Sequence, residues 1–251
     1  MGTLKAKTIE SATGSTLTLG ASGDTITVSS DSIKTNTFKD AGGNTLFTSD
    51  GAGTLSSLNS GLGGAAGPIL ISTSTASGAS SVDITSGIDS TYEEYMFVMT
   101  DINAATDGTS FCFQANASGQ TGFNEVMTTT FFRPYHAEND SAAALSYQGD
   151  TTDQANGTAL QQISEPNNAL GNASDECFAG ILHLFSPSNT TYVTHFYSTA
   201  SMNTSPSGAG LNYNVAGYCA GYFNVTSAIT EIRFAMASGN FDGTIQMYGI
   251  K

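Results

Sequence analysis

The stretch "YEEYMFVMTDI", residues 92–102, has the clearest strand pattern in the chain. Its apolar side chains alternate, with Tyr95, Phe97 and Met99 on one face. A period of two is typical of a β-strand with one buried face. The stretch therefore predicts a strand that contributes three large side chains to a hydrophobic core.

Similar segments follow Pro68 at close intervals, each rich in β-branched and aromatic residues and bounded by Gly, Asn, Asp or Ser. They predict further strands at 69–77, 109–116, 125–132, 143–149, 177–186, 190–199, 212–225, 229–238 and 243–251. Helical periodicity is weak, and segment 152–163, with a Gly inside it, predicts at most a turn or two of helix. We therefore expect an all-β chain with an antiparallel β-sandwich of the jelly-roll kind.

The last two segments predict a hairpin. Ile232, Phe234 and Met236 share one face, and "SGNFDG" provides a turn. Ile245 and Met247 then return at positions that can pair onto the same face.

The first sixty-five residues have a different composition. They contain two of the 24 aromatic residues, Phe38 and Phe47. They also contain a repeat, "GSTL" at 14–17, "GDTI" at 23–26, "GNTL" at 43–46 and "AGTL" at 52–55. Each unit predicts a Gly turn and a short strand whose thin apolar stripe needs partner chains to bury it. A flexible Gly/Ser/Thr linker is the alternative.

The Gly-rich segment "NSGLGGAAGP", 59–68, predicts the boundary between two parts. Residues 1–65 are expected to form an extended strand-turn repeat region that attaches to a larger assembly. Residues 66–251 are expected to form the sandwich domain.

Charge restricts the partners. The chain has 7 basic and 21 acidic residues among 251, a formal net charge of −14. Because phosphate backbones and anionic lipids attract cations, we expect no nucleic-acid binding and no binding to an anionic membrane. No apolar run is long enough to span a bilayer, and no apolar segment follows the first Met as in a secretory signal. Apolar runs contain all three cysteines, Cys112, Cys177 and Cys219, which predicts buried free thiols. We therefore expect the chain to fold in a reducing cytoplasm.

The sequence shows no catalytic motif. The chain lacks the G-x-S-x-G turn of many serine hydrolases. His183 and His195 lie on apolar strands, which favours packed or hydrogen-bonded side chains. His136 lies in a polar loop without an evident partner. We therefore expect no enzyme and assign no catalytic residue.

Carboxylates occur in pairs, but sequence does not place any pair in one cleft. Glu93 and Glu94 are adjacent on a strand, so they point to opposite faces. The other pairs are Asp150 with Asp153, Asp175 with Glu176, and Glu138 with Asp140. The acidic loops 101–108 and 136–153 lack the residue order of a calcium-binding loop, so solvated surface loops are favoured over cation capture. We assign no metal-ligating and no cofactor-binding residue.

Three segments support a family resemblance: 8–28, 33–61 and the closing "GTIQMYGIK", 243–251. They resemble recurring segments of virion structural proteins from marine tailed bacteriophages, such as those infecting cyanobacteria and related ocean bacteria. That family comprises tail fibres, head fibres and decoration proteins. The resemblance implies a β-rich and usually trimeric component of the virion, assembled in the host cytoplasm.

Together, the pattern and the resemblance predict a short homotrimeric fibre or spike. Its residues 1–65 would attach to other virion proteins, and its sandwich would bind a glycan or protein of the host surface. Tyrosines after residue 92 suit such binding, although core or trimer-interface packing is the alternative: Tyr135, Tyr147, Tyr192, Tyr197, Tyr213, Tyr218 and Tyr222. A decoration protein that only cements its neighbours is the second hypothesis. A surface-polysaccharide depolymerase is the third, but its usual β-helix needs many more repeats.

Overall fold

The structure is a computed structural model that describes residues 37–40, 42–49, 52, 55–56, 67–149, 152–165, 170–204 and 212–251. Regular structure in these ranges is entirely β, so the predicted all-β class is confirmed. The strands are β1 Thr37–Lys39, β2 Thr45–Ser49, β3 Leu55–Ser56, β4 Ile69–Ala79, β5 Ser81–Ile84, β6 Glu94–Ala104, β7 Phe111–Ala117, β8 Met127–Ala137, β9 Ala143–Tyr147, β10 Gln161–Gln162, β11 Cys177–Phe185, β12 His195–Thr204, β13 Tyr213–Phe223, β14 Ile229–Met236 and β15 Phe241–Ile250. Within the described ranges no helix could cross a lipid bilayer.

The chain divides into two units, Met1–Gly64 and Ala65–Lys251. In the first unit, β1, β2 and β3 form a three-stranded antiparallel sheet. Phe38 of β1 stacks on Phe47 of β2 with ring centroids 4.5 Å apart. The two aromatics of this unit therefore pack on each other.

One of the four repeat units is well described. Gly43 has a φ of 84°, a conformation that glycine adopts without steric cost, and β2 begins two residues later. The "GNTL" unit is thus a glycine turn followed by a strand, as its pattern predicts. The units at 14–17 and 23–26 lie outside the described residues.

The second unit is an antiparallel β-sandwich of unequal sheets, and the predicted sandwich is confirmed. One sheet has eight strands in the order β4-β15-β6-β11-β12-β13-β8-β9. The other has four, in the order β10-β7-β14-β5. A regular jelly roll instead arranges eight strands in two Greek keys.

The core lies between the two sheets and is built largely from phenylalanine. Phe97 of β6 meets Phe234 of β14 with centroids 5.6 Å apart, and Phe111 of β7 meets Phe178 of β11 at 5.3 Å. Tyr95, Phe97 and Met99 are fully buried, so the predicted inner face of β6 is confirmed. Burying each such side chain stabilises the fold by about 1.5 to 3 kcal/mol.

All ten strands predicted after Pro68 are present, and two more, β5 and β10, were not expected. β12 begins at His195 rather than at residue 190, and β8 continues through Pro134 to Ala137. Segment 152–163 forms no helix, in keeping with the weak helical pattern that allowed at most a turn or two. Its end pairs with β7 as the two-residue strand β10.

The predicted terminal hairpin is wrong. β14 lies between β7 and β5 in the four-stranded sheet, whereas β15 lies between β4 and β6 in the eight-stranded sheet. The intervening turn crosses from one sheet to the other. Phe234 and Ile245 are both buried, but in opposite layers of the core. The alternating pattern identifies the buried face of each strand, and it carries no information on which sheet the strand joins.

Candidate functional site

The three histidines have unrelated surroundings. His183 contacts the carboxylate of Glu94 through Nδ1, and its ring stacks on Tyr197 with centroids 4.6 Å apart. His136 is exposed near the end of β8, where its Nε2 lies 3.0 Å from Oδ1 of Asp140. His195 is exposed at an outward position of β12, and its ring lies beside that of Tyr222 with centroids 5.7 Å apart.

The paired carboxylates are engaged separately. Asp153 accepts a hydrogen bond from the Tyr147 hydroxyl at 2.7 Å, and Asp175 accepts one from Asn212 at 3.2 Å. Glu176 Oε2 accepts the backbone N–H of Ala173 at 3.1 Å. Asp150 lies outside the described residues. Within the described part of the chain, no group of three His, Cys, Asp or Glu side chains is arranged to hold a metal ion.

The cysteines are free. Cys112 and Cys219 are buried, and this burial raises the pKa of each thiol to about 12. At neutral pH both are therefore protonated and poor nucleophiles. Cys177 is half-buried.

The most prominent exposed feature is the side of the eight-stranded sheet that points away from the core, hereafter the outer face. Apart from Tyr192, which lies on a loop, the exposed large hydrophobic side chains belong to strands of this sheet: Ile69, Leu70, Phe132, Leu145, Tyr147, Tyr197 and Tyr218. Three of them, Phe132, Tyr197 and Tyr218, border one hollow, and exposed apolar side chains grouped in this way usually mark an interaction site.

Strand alternation places Phe132, Leu145, Tyr147, Tyr197 and Tyr218 on the outer face. In β12, Phe196 and Met202 point into the core, so Tyr197 between them points outward. The strand register then aligns outward residues across neighbouring strands: Tyr218 of β13 pairs with Phe132 of β8, and Phe132 pairs with Tyr147 of β9.

The aromatic side chains form two stacked groups. Phe132 and Tyr218 lie with centroids 4.9 Å apart and planes inclined by 5°. Tyr197 stacks on His183 and, at 5.6 Å, on Phe185. Because cross-strand stacking restrains ring rotation, both groups present rigid surfaces to solvent.

Three open hollows lie between and beside the aromatic groups. The central hollow, of about 500 Å³, is lined by small and aliphatic residues such as Ile181 and Ala216. A second, of about 180 Å³, lies between Phe132, Tyr197 and Tyr218. A third, of about 370 Å³, is bordered by His195, Tyr222 and three threonines of β8.

The three hollows are uncharged. No Asp, Glu, Lys or Arg lines any of them. Their polar groups are the hydroxyls of Thr, Ser and Tyr, with the imidazole of His195. The outer face can therefore form apolar, stacking and neutral hydrogen-bonding contacts, whereas the chain as a whole is strongly acidic.

The opposite side of the sandwich is covered by its own loops. Gln114 on β7 is fully buried, and its amide donates to the backbone oxygens of Glu125, at 3.1 Å, and Ala159, at 3.0 Å. Beside it, Arg233 forms two hydrogen bonds with Asp83, at 2.8 and 2.6 Å. The four-stranded sheet thus presents loops and charged side chains rather than an apolar surface.

Sequence reasoning missed a buried polar cluster beneath β8. Arg133 and Glu165 are both buried, with Nε 2.5 Å from Oε2. The Thr129 hydroxyl donates to Gln161 Oε1 at 2.8 Å, and the Gln161 amide donates to the oxygen of Thr152 at 2.8 Å. These contacts fix the segment that includes β10 against β8. Arg133 in a strand of alternating apolar residues is the only sequence signal of the cluster.

Comparison with models of protein families, with curated proteins and with solved structures found no match for this chain. Its site is therefore defined by its own geometry, an aromatic face on an antiparallel β-sandwich whose hollows are lined by no Asp, Glu, Lys or Arg.

Proposed function

We propose that the chain is a structural protein of a bacteriophage particle, a short homotrimeric fibre or spike without enzymatic activity. Residues 1–65 attach it to other virion proteins, and the sandwich is displayed toward the host. The resemblance of segments 8–28, 33–61 and 243–251 to phage virion proteins provides the biological setting. The outer face is the observation that favours this role, because it is a broad contact surface whose open hollows are lined by no Asp, Glu, Lys or Arg.

Contact with the host is assigned to exposed loops of the sandwich. The clearest example is the loop between β11 and β12, where Tyr192 is 72% exposed. Asn189 Oδ1 accepts the backbone N–H groups of Thr191, at 2.7 Å, and Tyr192, at 3.0 Å. These bonds hold the loop in one conformation. A tyrosine on a preorganised loop binds proteins and sugars at low entropic cost.

The second candidate function is a decoration protein that cements neighbouring capsid or tail proteins. The same outer face supports it, because apolar surface can also be covered by a different virion protein. The two functions differ in host contact, which only the fibre or spike requires.

An adsorption experiment separates them. Host cells are incubated with the purified full chain before phage are added, and free phage are counted. A fibre or spike is expected to reduce adsorption, and Tyr192→Ala is expected to reduce it less. Ser118→Ala, on an exposed turn beyond β7, is the matched control.

Unchanged adsorption, with particles that lose stability when the chain is absent, would support the cementing function instead. Release of reducing sugars from host envelope by the purified chain would contradict the non-enzymatic assignment.

A further inference from the structure

We propose that copies of this chain associate with one another through the outer face of the eight-stranded sheet. The proposal rests on the homo-oligomer of the proposed function and names the surface that forms it. The occupant of the outer face is thus a second copy of the same sandwich.

The first argument is exposure. Phe132 is 43% exposed, Tyr197 40% and Tyr218 39%, and all three border one hollow. At the edge of the sheet, Leu145 is 70% exposed. Folded monomers rarely leave contiguous apolar surface of this extent in water, so covering it releases hydrophobic free energy.

The second argument is charge. Two copies that each carry a formal charge of −14 repel when acidic surfaces approach. The hollows of the outer face are lined by no Asp, Glu, Lys or Arg, and the outward carboxylate of Glu94 on β6 lies against His183, so this approach brings few charges together. A cationic partner would be drawn to the acidic remainder of the surface, and an anionic partner would need cations that the hollows lack. A neutral partner surface remains, and the outer face of another copy is one.

The third argument is size. The five strands β6, β11, β12, β13 and β8 are adjacent, and strand spacing makes them about 24 Å wide. Strands of about ten residues extend about 33 Å. The resulting area, about 800 Å², equals what one partner buries in a protein interface of standard size.

The fourth argument is shape. The stacked Phe132 and Tyr218 form a ridge, and the central hollow beside them is lined by small residues, among them Ala179 and Ala216. The ridge and the hollow are different parts of the outer face, so the ridge of one copy can enter the hollow of the next. Such a head-to-tail contact can close into a ring and is compatible with the proposed homotrimer.

The test measures the mass of the full chain by sedimentation at about 10 μM and on dilution. We expect a multiple of the chain mass for the natural sequence. Thr199→Lys places a charge at the border of the central hollow and is expected to raise the dissociation constant at least tenfold. Ser118→Lys, which changes net charge equally on an exposed turn away from the outer face, is expected to leave it unchanged.

Tyr218→Ala provides a second variant that adds no charge and is expected to weaken association in the same direction. Circular dichroism and thermal melting establish that each variant is folded. A single-chain mass at about 10 μM would overturn the proposal, as would equal dissociation constants for Thr199→Lys and Ser118→Lys.

Glycan binding is the competing occupant, since aromatic rings also stack on sugars. Binding of neutral oligosaccharides by a single-chain form, abolished by Tyr218→Ala, would overturn self-association. A different result would contradict the proposed function. In that case antibodies against the chain would not label phage particles, whatever the mass of the chain in solution.

Discussion

Arg133 and Glu165 illustrate how strongly one buried ion pair can affect the stability of this sandwich. Both side chains are almost completely buried, and Arg133 also lies over the ring of Tyr135, 4.7 Å from its centroid. A buried ion pair gains little over a packed apolar pair, but removing one partner leaves an uncompensated charge.

Glu165→Gln is therefore expected to lower the free energy of unfolding by about 3 to 5 kcal/mol. Urea denaturation measures this loss. Glu138→Gln, at an exposed position, serves as the control and is expected to change stability by less than about 0.5 kcal/mol. Similar losses for the two variants would contradict a specific role of the buried pair.

Gly243 is required by both its backbone angle and its surroundings. Its φ is 142°, and an added Cβ would lie 2.6 Å from Ile102 Cδ1 and 2.9 Å from the oxygen of Asp101. Gly243→Ala is expected to cost about 1 to 3 kcal/mol in thermal or urea unfolding. Gly108, with a φ of 75° and open space around it, separates backbone strain from crowding. A loss in Gly108→Ala as large as in Gly243→Ala would show that crowding contributes nothing.

At the scale of elements, Arg233 and Asp83 join two strands of the four-stranded sheet. They lie directly opposite each other on β14 and β5, and Arg233 also covers the ring of Phe123 at 4.2 Å. The hydrogen bonds from Arg233 hold the pKa of Asp83 below its usual value, despite an opposing effect of burial. This pair supports β5, a four-residue strand at the edge of its sheet.

The pair predicts a loss of stability in acid. Because the pKa of Asp83 is lower in the folded state, its contribution is fully present above the unfolded-state pKa, about 3.9, and disappears as pH falls through the folded value. Asp83→Asn is expected to lower stability at pH 7 by at most about 1 kcal/mol, since the pair is partly exposed. The difference from the natural chain should decrease in urea unfolding as the pH is lowered below the unfolded-state pKa of about 3.9. A difference that stays constant over that range would assign the effect to packing.

The whole molecule is dominated by its charge. With 7 basic against 21 acidic residues, copies repel over distances that salt shortens to about 8 Å at physiological ionic strength. The aromatic side chains of the outer face contribute apolar contact, and the acidic residues of each copy oppose it. Association is therefore a balance between a short-range attraction and a screened repulsion.

Association is accordingly expected to strengthen as salt increases. Sedimentation in about 20 mM and about 500 mM sodium chloride should give a lower dissociation constant in the higher salt, because repulsion is screened and apolar contacts are not. Thr199→Lys changes both sides of this balance, because it adds one positive charge to each copy and places that charge beside the apolar contact. Weaker association in high salt would indicate that ion pairs, rather than apolar contacts, join the copies.

Much of the fold was predictable because strand alternation is a local property. Tyr95, Phe97 and Met99 share the inner face of β6 for the same reason that their side chains alternate in the sequence. β10 escaped prediction because two residues are too few for a period. The buried Arg133 was not anticipated, because the partner that makes its burial possible lies 32 residues away in a segment without regular pattern.

The outer face was only half predictable. The sequence suggested that some tyrosines bind partners, and its predicted strands 190–199 and 212–225 include Tyr197 and Tyr218. These two residues meet Phe132 only because β12, β13 and β8 are neighbours in one sheet. Side-chain alternation determines which residues leave the core, whereas strand order determines which of them meet.

The sequence by itself thus determined the all-β class, the inward side chains of most strands, the acidity of the chain and its change of composition near residue 65. Each of these depends on composition or on contacts between near neighbours. Only the tertiary structure decided that β14 and β15 belong to different sheets and that the aromatic residues meet on one outer face. Those features depend on pairing between strands that are distant in the sequence. Backbone hydrogen bonds allow many strand orders, and only the packing of the complete core selects one of them.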